Sequence, residues 1–278
     1  MDERRPVMEG KHITVRFGEG CDYCKQHTDL PKGRCPVCHT IWGVRDVNFQ
    51  LYPGEILGIV GESGSGKSTL LKTLYFDQPV TEGEAYLAAY VNGEKNILAT
   101  STQQRRYLRN HMMGMVYQNP VLGLRMKISS GANIAEKLIA AGNRNAGQMI
   151  SRSTQLLDHV EIPVERLRDQ PSVFSGGMQQ RVQISKAIAN NPPILLLDEV
   201  TTGLDLSVQA KVLDLIRSIQ RELGIAMMIV SHDLAVIRMM SDRTMVMLGG
   251  RVVEEGLTDQ ILEDPLHIYT QTLVSSLL

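Results

Sequence analysis

Residues 61–68 read Gly61-Glu62-Ser63-Gly64-Ser65-Gly66-Lys67-Ser68 and fit the pattern G-x-x-x-x-G-K-[ST] in full. Glycines at this spacing let the backbone curl so that its N–H groups converge on one anion. The helix that follows turns its positive end toward the same place. Lys67 supplies a compact charge for phosphate oxygens, and the Ser68 hydroxyl can ligate magnesium. Far along the chain, Leu195-Leu196-Leu197-Asp198-Glu199 sets two carboxylates at the end of an apolar run. Asp198 is placed to hold magnesium and Glu199 to polarise an attacking water, because phosphoryl transfer depends on positioning and charge stabilisation. A third device is Phe174-Ser175-Gly176-Gly177-Met178-Gln179-Gln180-Arg181. Ser175 offers a hydroxyl, the glycines permit close approach, and the helix start offers unbonded N–H groups. Taken singly, each has a plainer reading: a flexible Gly/Ser turn, a strand ending in solvated acids, a capped helix after a glycine turn.

A different chemistry gathers near the N-terminus. Cys21-x-x-Cys24 and Cys35-x-x-Cys38 hold all four cysteines of the chain. Two such turns can supply the four soft ligands that tetrahedral zinc takes. Iron is the alternative metal, and disulfides or free thiols are the metal-free readings. His27 and His39 could replace a ligand, although solvent exposure accounts for them as well. A segment this short without a core of its own calls for a staple.

Elements must position these groups. Glu55–Val60, Ile194–Leu197 and Ala226–Val230 read as buried strands, the first running into the glycine loop and the last into Ser231-His232-Asp233. A helix through Leu70, Leu71 and Leu74 follows the loop. Thr244–Leu248 and Arg251–Glu255 flank Gly249-Gly250, a hairpin turn signal. From about Asn119 to Pro171 the pattern is mainly helical, with Leu138, Ile139, Leu156, Leu157 and Val160 at helix-compatible spacing. Ile13–Phe17 and Val44–Leu51 look like a strand pair, interrupted by Gly18–Ile41. Alternating strands and helices give an α/β fold. The 14 methionines suit core packing better than a copper site.

Charge is nearly balanced, with 29 Lys and Arg against 30 Asp and Glu, which argues against a nucleic-acid groove. Met1-Asp2-Glu3-Arg4-Arg5-Pro6 leads into no apolar stretch, and no run approaches the ~18–20 residues of a membrane helix. A cytoplasmic protein is expected, reaching a membrane only through a partner.

The phosphate loop, Gln118, Ser-Gly-Gly-x-Gln-Gln-Arg, Leu-Leu-Asp-Glu, Gly203-Leu204-Asp205 and His232 follow one another as in ATP-binding cassette proteins, which the chain resembles over roughly residues 42–278. The resemblance implies a P-loop NTPase of the cassette type in a single domain, 1–278, with a helical subdomain at about 119–180; the Cys-rich insertion at 18–41 is read from the cysteine spacing and stands outside the resemblance. The resemblance also implies ATP and magnesium as cofactors and hydrolysis in a head-to-tail dimer, with itself or with another cassette. Gly61, Ser63, Gly64, Ser65, Gly66, Lys67, Ser68 and Thr69 would hold nucleotide. Ser175, Gly176 and Gly177 would hold it in trans. Gln118 would serve the magnesium and water, His232 the γ-phosphate, and Asp205 the dimer interface. Phe17 is a candidate to stack on adenine, or a core aromatic. Val200 stands where the family usually has proline.

Asp264-Pro265-Leu266-His267-Ile268-Tyr269-Thr270-Gln271 resembles the tail of oligopeptide and nickel importer ATPases, and also that of the cassette associated with the carbon–phosphorus lyase that degrades phosphonates. Asn119-Pro120-Val121-Leu122-Gly123-Leu124-Arg125, Gly131-Ala132-Asn133-Ile134 and Leu273-Val274-Ser275-Ser276-Leu277 resemble the lyase-associated cassette more closely. Soluble lyase subunits are the preferred partners, membrane permease subunits the alternative, and a non-transport regulatory cassette a third reading. The Cys segment lies outside both patterns.

Overall fold

The computed structural model describes residues 5–28 and 30–275. Met1-Asp2-Glu3-Arg4 and the Ser276-Leu277 end of the tail resemblance lie outside them. The chain divides into two compact units, Met1–Ser101 with Ala226–Leu278, and Thr102–Ile225.

In the first unit, β1 (Met8–Phe17), β2 (Ile41–Leu51) and β4 (Glu82–Leu87) form an antiparallel sheet in the order β2-β1-β4. Phe17 pairs directly with Ile41, so residues 18–40 are a loop thrown out between paired strand ends. Ile41 belongs to the strand, one residue inside the segment expected to be inserted. The loop carries a short helix, α1 (Asp22–Gln26).

The same unit contains β3 (Ile56–Val60), every residue of which is buried. An uninterrupted apolar strand suits a parallel position covered on both faces. β3 lies between β7 (Ala226–Val230) and β8 (Arg243–Leu248), parallel to both. Met227 and Met228 are wholly buried in β7, as core packing requires. β9 (Arg251–Leu257) returns antiparallel to β8 across Gly249-Gly250, the hairpin read from the sequence. Helices α2 (Lys67–Leu74), α9 (Leu234–Met240), α10 (Thr258–Glu263) and α11 (Ile268–Ser275) complete this unit. Leu70, Leu71 and Leu74 bury one face of α2 completely. Each contributes roughly 1.5–3 kcal/mol, which fixes the helix start where the glycine loop ends.

The second unit holds the parallel pair β5 (Met113–Val116) and β6 (Ile194–Asp198), buried throughout. Around it are α3 (Thr102–His111), α4 (Pro120–Gly123), α5 (Ser130–Ala140), α6 (Ala146–His159), α7 (Gly176–Ala187) and α8 (Leu206–Leu223). α5 packs on α6 and α7, and Leu138, Leu156, Leu157 and Val160 are buried as their spacing predicts. Ile139 is not: it is 47% exposed. Adjacent helical residues are about 100° apart, so burying Leu138 turns Ile139 outward.

Candidate functional site

β3 delivers the glycine loop and α2 receives it. Gly61, Gly64 and Gly66 have φ of 144°, 82° and 106°, a region closed to most side chains. At two of them space is also denied. A Cβ on Gly66 would overlap the Gly43 carbonyl, and one on Gly61 the Met247 carbonyl. Gly64 faces open space, so its backbone alone requires glycine. Lys67 is buried beneath the curl, where Nζ donates to the carbonyls of Gly61 and Glu62, both at 2.8 Å, and to Ser65 Oγ at 3.3 Å. A cation is thus held at the centre of the loop and can exchange these acceptors for phosphate oxygens.

Phe17 is 44% exposed and is not a core aromatic. Its ring lies over Gly43 beside the Thr69 methyl, at the mouth of the loop. His232, exposed just beyond β7, sits in a turn fixed on both sides. Ser231 Oγ accepts from the Asp233 N–H at 3.0 Å, and Asp233 caps α9 by accepting from the Ala235 N–H at 2.8 Å.

In the second unit Asp198 ends β6 and is buried. Glu199 follows at φ 46°, a left-handed conformation costly for a non-glycine residue and common where function fixes a side chain. One of its oxygens, Oε2, accepts from Gln118 Nε2 at 2.9 Å and from Thr202 Oγ1 at 3.2 Å. Val200 is buried, keeping an apolar side chain at the proline position. Gln118 and Glu199, separated in sequence, are therefore brought together. α7 reaches the same neighbourhood. The buried Gln183 accepts from the Tyr117 N–H at 2.8 Å and donates to the Tyr117 carbonyl at 3.1 Å, fixing the backbone next to Gln118.

Ser175 is the N-cap of α7, its hydroxyl accepting from the Met178 N–H at 3.4 Å. Ser175 and Gly176 are exposed. Gly177 is buried against α8, and a Cβ there would overlap Val208. Asp205 caps α8, accepting from the Val208 N–H at 3.0 Å and from Ser207 Oγ at 2.8 Å. These bonds hold its carboxyl below the usual range.

The four cysteine sulfurs of the inserted loop lie within 4.8 Å of one another. Cys21–Cys24 is 3.9 Å, and Cys21–Cys35 and Cys24–Cys38 are both 3.8 Å. A Zn–S bond of about 2.3 Å gives tetrahedral sulfur edges of about 3.8 Å. The Cys21 N–H points to Cys24 Sγ at 3.2 Å and the Cys38 N–H to Cys35 Sγ at 3.4 Å, donors that stabilise thiolates. His27 and His39 are exposed and outside this group.

The ABC transporter family model matches residues 44–202, which takes in the phosphate loop, Gln118, the Ser175 helix start and the acid pair. The chain belongs to the ABC transporter family. It is a cassette ATPase with the P-loop NTPase fold of that family. It is 49% identical over 236 residues to the "Putative phosphonates utilization ATP-binding protein PhnK" of Escherichia coli strain K12, covering 85% of this chain and 92% of that protein. It is 38% identical to the oligopeptide transport ATP-binding protein OppF of Lactococcus lactis strain IL1403, over 87% of this chain and 74% of that protein. Among solved structures it matches the dimeric, post-hydrolysis ATP-binding cassette MJ0796 bound to ADP and Pi, with a TM-score of 0.75 and 28% identity, over 90% of this chain and 98% of that one.

The residues expected from the sequence to form the site divide between the two units. Phe17, the phosphate loop and His232 are in the first; Gln118, Ser175, Gly176, Gly177, Asp198, Glu199 and Asp205 are in the second. Sequence reasoning missed several contributors. Tyr269 accepts from the Glu62 N–H at 2.7 Å, and burial pushes its phenol up, so it remains an O–H. Thr202 and Gln183 were unmarked. A polar residue three positions after Gln180 on an apolar helix was the only available signal for Gln183.

Proposed function

We propose that this cassette hydrolyses ATP with magnesium in a head-to-tail dimer and drives conformational change in a soluble phosphonate-degrading lyase assembly. Lys67 and the N–H groups of residues 63–69 bind the phosphates, and Phe17 stacks on the base. Ser68, Gln118 and Asp198 each offer a hard oxygen donor suited to magnesium, which supplies charge neutralisation when bound. Glu199, oriented by Gln118 and Thr202, accepts the hydrogen bond of the attacking water, and His232 answers to the γ-phosphate. The exposed Ser175 and Gly176 meet the nucleotide of the partner cassette, and Asp205 stands at that interface. Residues 119–180 act as the helical subdomain, and 18–40 as an insertion that carries structural zinc on Cys21, Cys24, Cys35 and Cys38. The sulfur edges and the donors to sulfur support that last reading.

The observation that carries the lyase reading is the 49% identity to PhnK across nearly its whole length, against 38% to OppF across a smaller share. Val121 and Leu122, next to Gln118, are 57% and 65% exposed, an apolar step on which a partner can lean. Among the described residues no helix is long and apolar enough to cross a membrane, and the proposed location is the cytoplasm. Native affinity purification with mass spectrometry of the retained proteins tests the assignment. Soluble lyase subunits are expected. Membrane permease subunits would make this the motor of a peptide or metal importer and overturn the lyase role.

A further inference from the structure

The inserted cysteine loop and the phosphate loop share one backbone support. Gly33 of the insertion abuts the β8–β9 turn: a Cβ there would lie 2.8 Å from the Trp42 carbonyl and 3.2 Å from that of Gly249. The next residue of that turn, Gly250, donates its N–H to the Ser65 carbonyl inside the phosphate loop at 3.0 Å. Its own carbonyl accepts from the Arg45 N–H at 2.7 Å. Arg45 then reaches back into the insertion. Its guanidinium lies 4.2 Å from the Trp42 ring centre and donates to the carbonyls of Cys24 at 3.0 Å and His27 at 2.9 Å. The strand leaving the insertion supplies Gly43, whose carbonyl fills the space beside Gly66, and the strand entering it ends in Phe17. The phosphate loop therefore rests on Gly43 and the Gly249-Gly250 turn, and both rest on the cysteine loop.

That loop has little to hold itself in shape. Its core is Cys21, Cys24, Leu30, Cys35 and Trp42. So small a cluster cannot offset the chain entropy of ordering residues 18–40, and a metal staple can. A divalent ion on four thiolates carries a net charge of −2. The surroundings match that charge, with Arg45 and Arg16 over Trp42 and the Lys25 stem close to Gly20. Trp42, buried in the same cluster as Cys24 and Cys35, has an Nε1–H that meets no conventional acceptor among the described residues, and a metal-bound thiolate is an acceptor such a donor can use.

We infer that a tetrathiolate-bound divalent ion, zinc, is a positioning element for ATP binding: its occupancy sets the Gly33–Gly249 and Arg45–Gly250 contacts that hold the phosphate loop. This rests on the zinc reading above and extends it from staple to support of the nucleotide site. The coupling is reciprocal, so nucleotide must retain zinc by the same factor that zinc tightens nucleotide.

The full-length chain is assayed for metal content, then for the affinity of a non-hydrolysable ATP analogue with magnesium. Measurements are made as purified, after stripping with a thiol-reactive mercurial and chelator, and after reduction and zinc return. Expected are one zinc per chain, a Kd raised about tenfold on stripping and recovered with zinc, and slower zinc loss when the analogue is bound. One zinc per chain with a Kd moving less than about twofold would overturn the coupling and leave the zinc reading intact. Lack of stoichiometric metal would overturn both. Should the stripped chain unfold, Arg45→Met keeps all four ligands and the backbone bond to Gly250 while removing the guanidinium bonds to the Cys24 and His27 carbonyls, the side-chain link between insertion and turn. Retained zinc with several-fold weaker analogue binding is expected for it, and retained zinc with an unchanged Kd overturns the coupling.

Discussion

At the start of α2 the backbone turns on three glycines with positive φ, and a buried lysine already sits beneath the curl. At the start of α7 there is an exposed serine, an exposed glycine beside the Leu204 side chain, and a second glycine used to pack α8. Both are helix N-termini suited to anions. The first is a finished receptor, with charge and shape fixed by its own neighbours. The second is a half-site that offers a hydroxyl and N–H groups; its nearby cation, Arg166, is partly exposed and packs over the Phe174 ring. A half-site of that kind acts on a phosphate carried to it by another surface, as the proposed head-to-tail dimer requires.

The largest effect should come from the finished receptor. Lys67→Ala removes its central cation and should abolish measurable nucleotide binding, with phosphate release lowered on the order of 10²–10³-fold, the usual cost of losing a key charge-stabilising donor. Near-normal affinity in this variant would break the contrast outright. Next in size is Glu199→Gln. It should lower hydrolysis on the order of 10²–10⁴-fold, the range for losing a general base, while binding persists. A nucleotide-trapped dimer should then appear by size-exclusion chromatography with ATP. An unchanged rate would remove the role given to Glu199.

The glycines sharpen the contrast within the loop itself. Gly66→Ala must displace the Gly43 carbonyl as well as adopt a positive φ, whereas Gly64→Ala meets only the backbone penalty, since nothing lies within 4 Å of its Cβ position. Gly64→Ala should cost about 1 kcal/mol in thermal or denaturant unfolding, and Gly66→Ala clearly more. Equal costs would mean that Gly43 yields easily and does not brace the loop.

Ser175→Ala addresses the half-site. It should leave the affinity of the monomeric chain for an ATP analogue within about twofold while lowering hydrolysis at least about tenfold, because its proposed ligand is the nucleotide of the partner. Loss of the helix cap should cost about 1 kcal/mol of stability. A fall in monomer affinity comparable to that of Lys67→Ala would make the two helix starts parts of one intrachain site and end the distinction.

The sequence exposes one side of this comparison better than the other. The phosphate loop, the strand that feeds it and the acid pair are local patterns, and a local pattern can be read from spacing. What braces them is not local. Gly43 supports Gly66 across more than twenty residues, and Gly250 supports Ser65 from the far end of the chain. In the sequence Gly249-Gly250 announces a hairpin and nothing more. Gln183 resembles any polar residue on a helix until its bonds to Tyr117 are seen. Ile139 fits a helical core pattern as well as Leu138 does, and only packing decides which faces inward. The clustering of the four cysteines was legible because paired knuckles are local. Their closeness to the phosphate loop was invisible, since Phe17 and Ile41 become neighbours only when β1 and β2 pair.

The smallest expected effect concerns Asp205, which caps α8 and is proposed to face the dimer partner. Bonds from the Val208 N–H and the Ser207 hydroxyl hold its carboxyl below the ordinary aspartate value. A depressed folded-state pKa means that the unfolded chain takes up the proton first. Its contribution is therefore present above the unfolded value of about 3.9 and is lost as pH falls through the folded value. Asp205→Asn retains a capping oxygen but cannot titrate. Its unfolding midpoint should lie slightly below that of the native chain at pH 7 and converge with it in acid, the gap narrowing with salt because the group is exposed. A gap unchanged between pH 7 and pH 3 would mean that the carboxylate's charge adds nothing to the cap. The role of Asp205 would then be sought at the dimer interface, by comparing ATP-induced dimerisation of the two proteins at neutral pH.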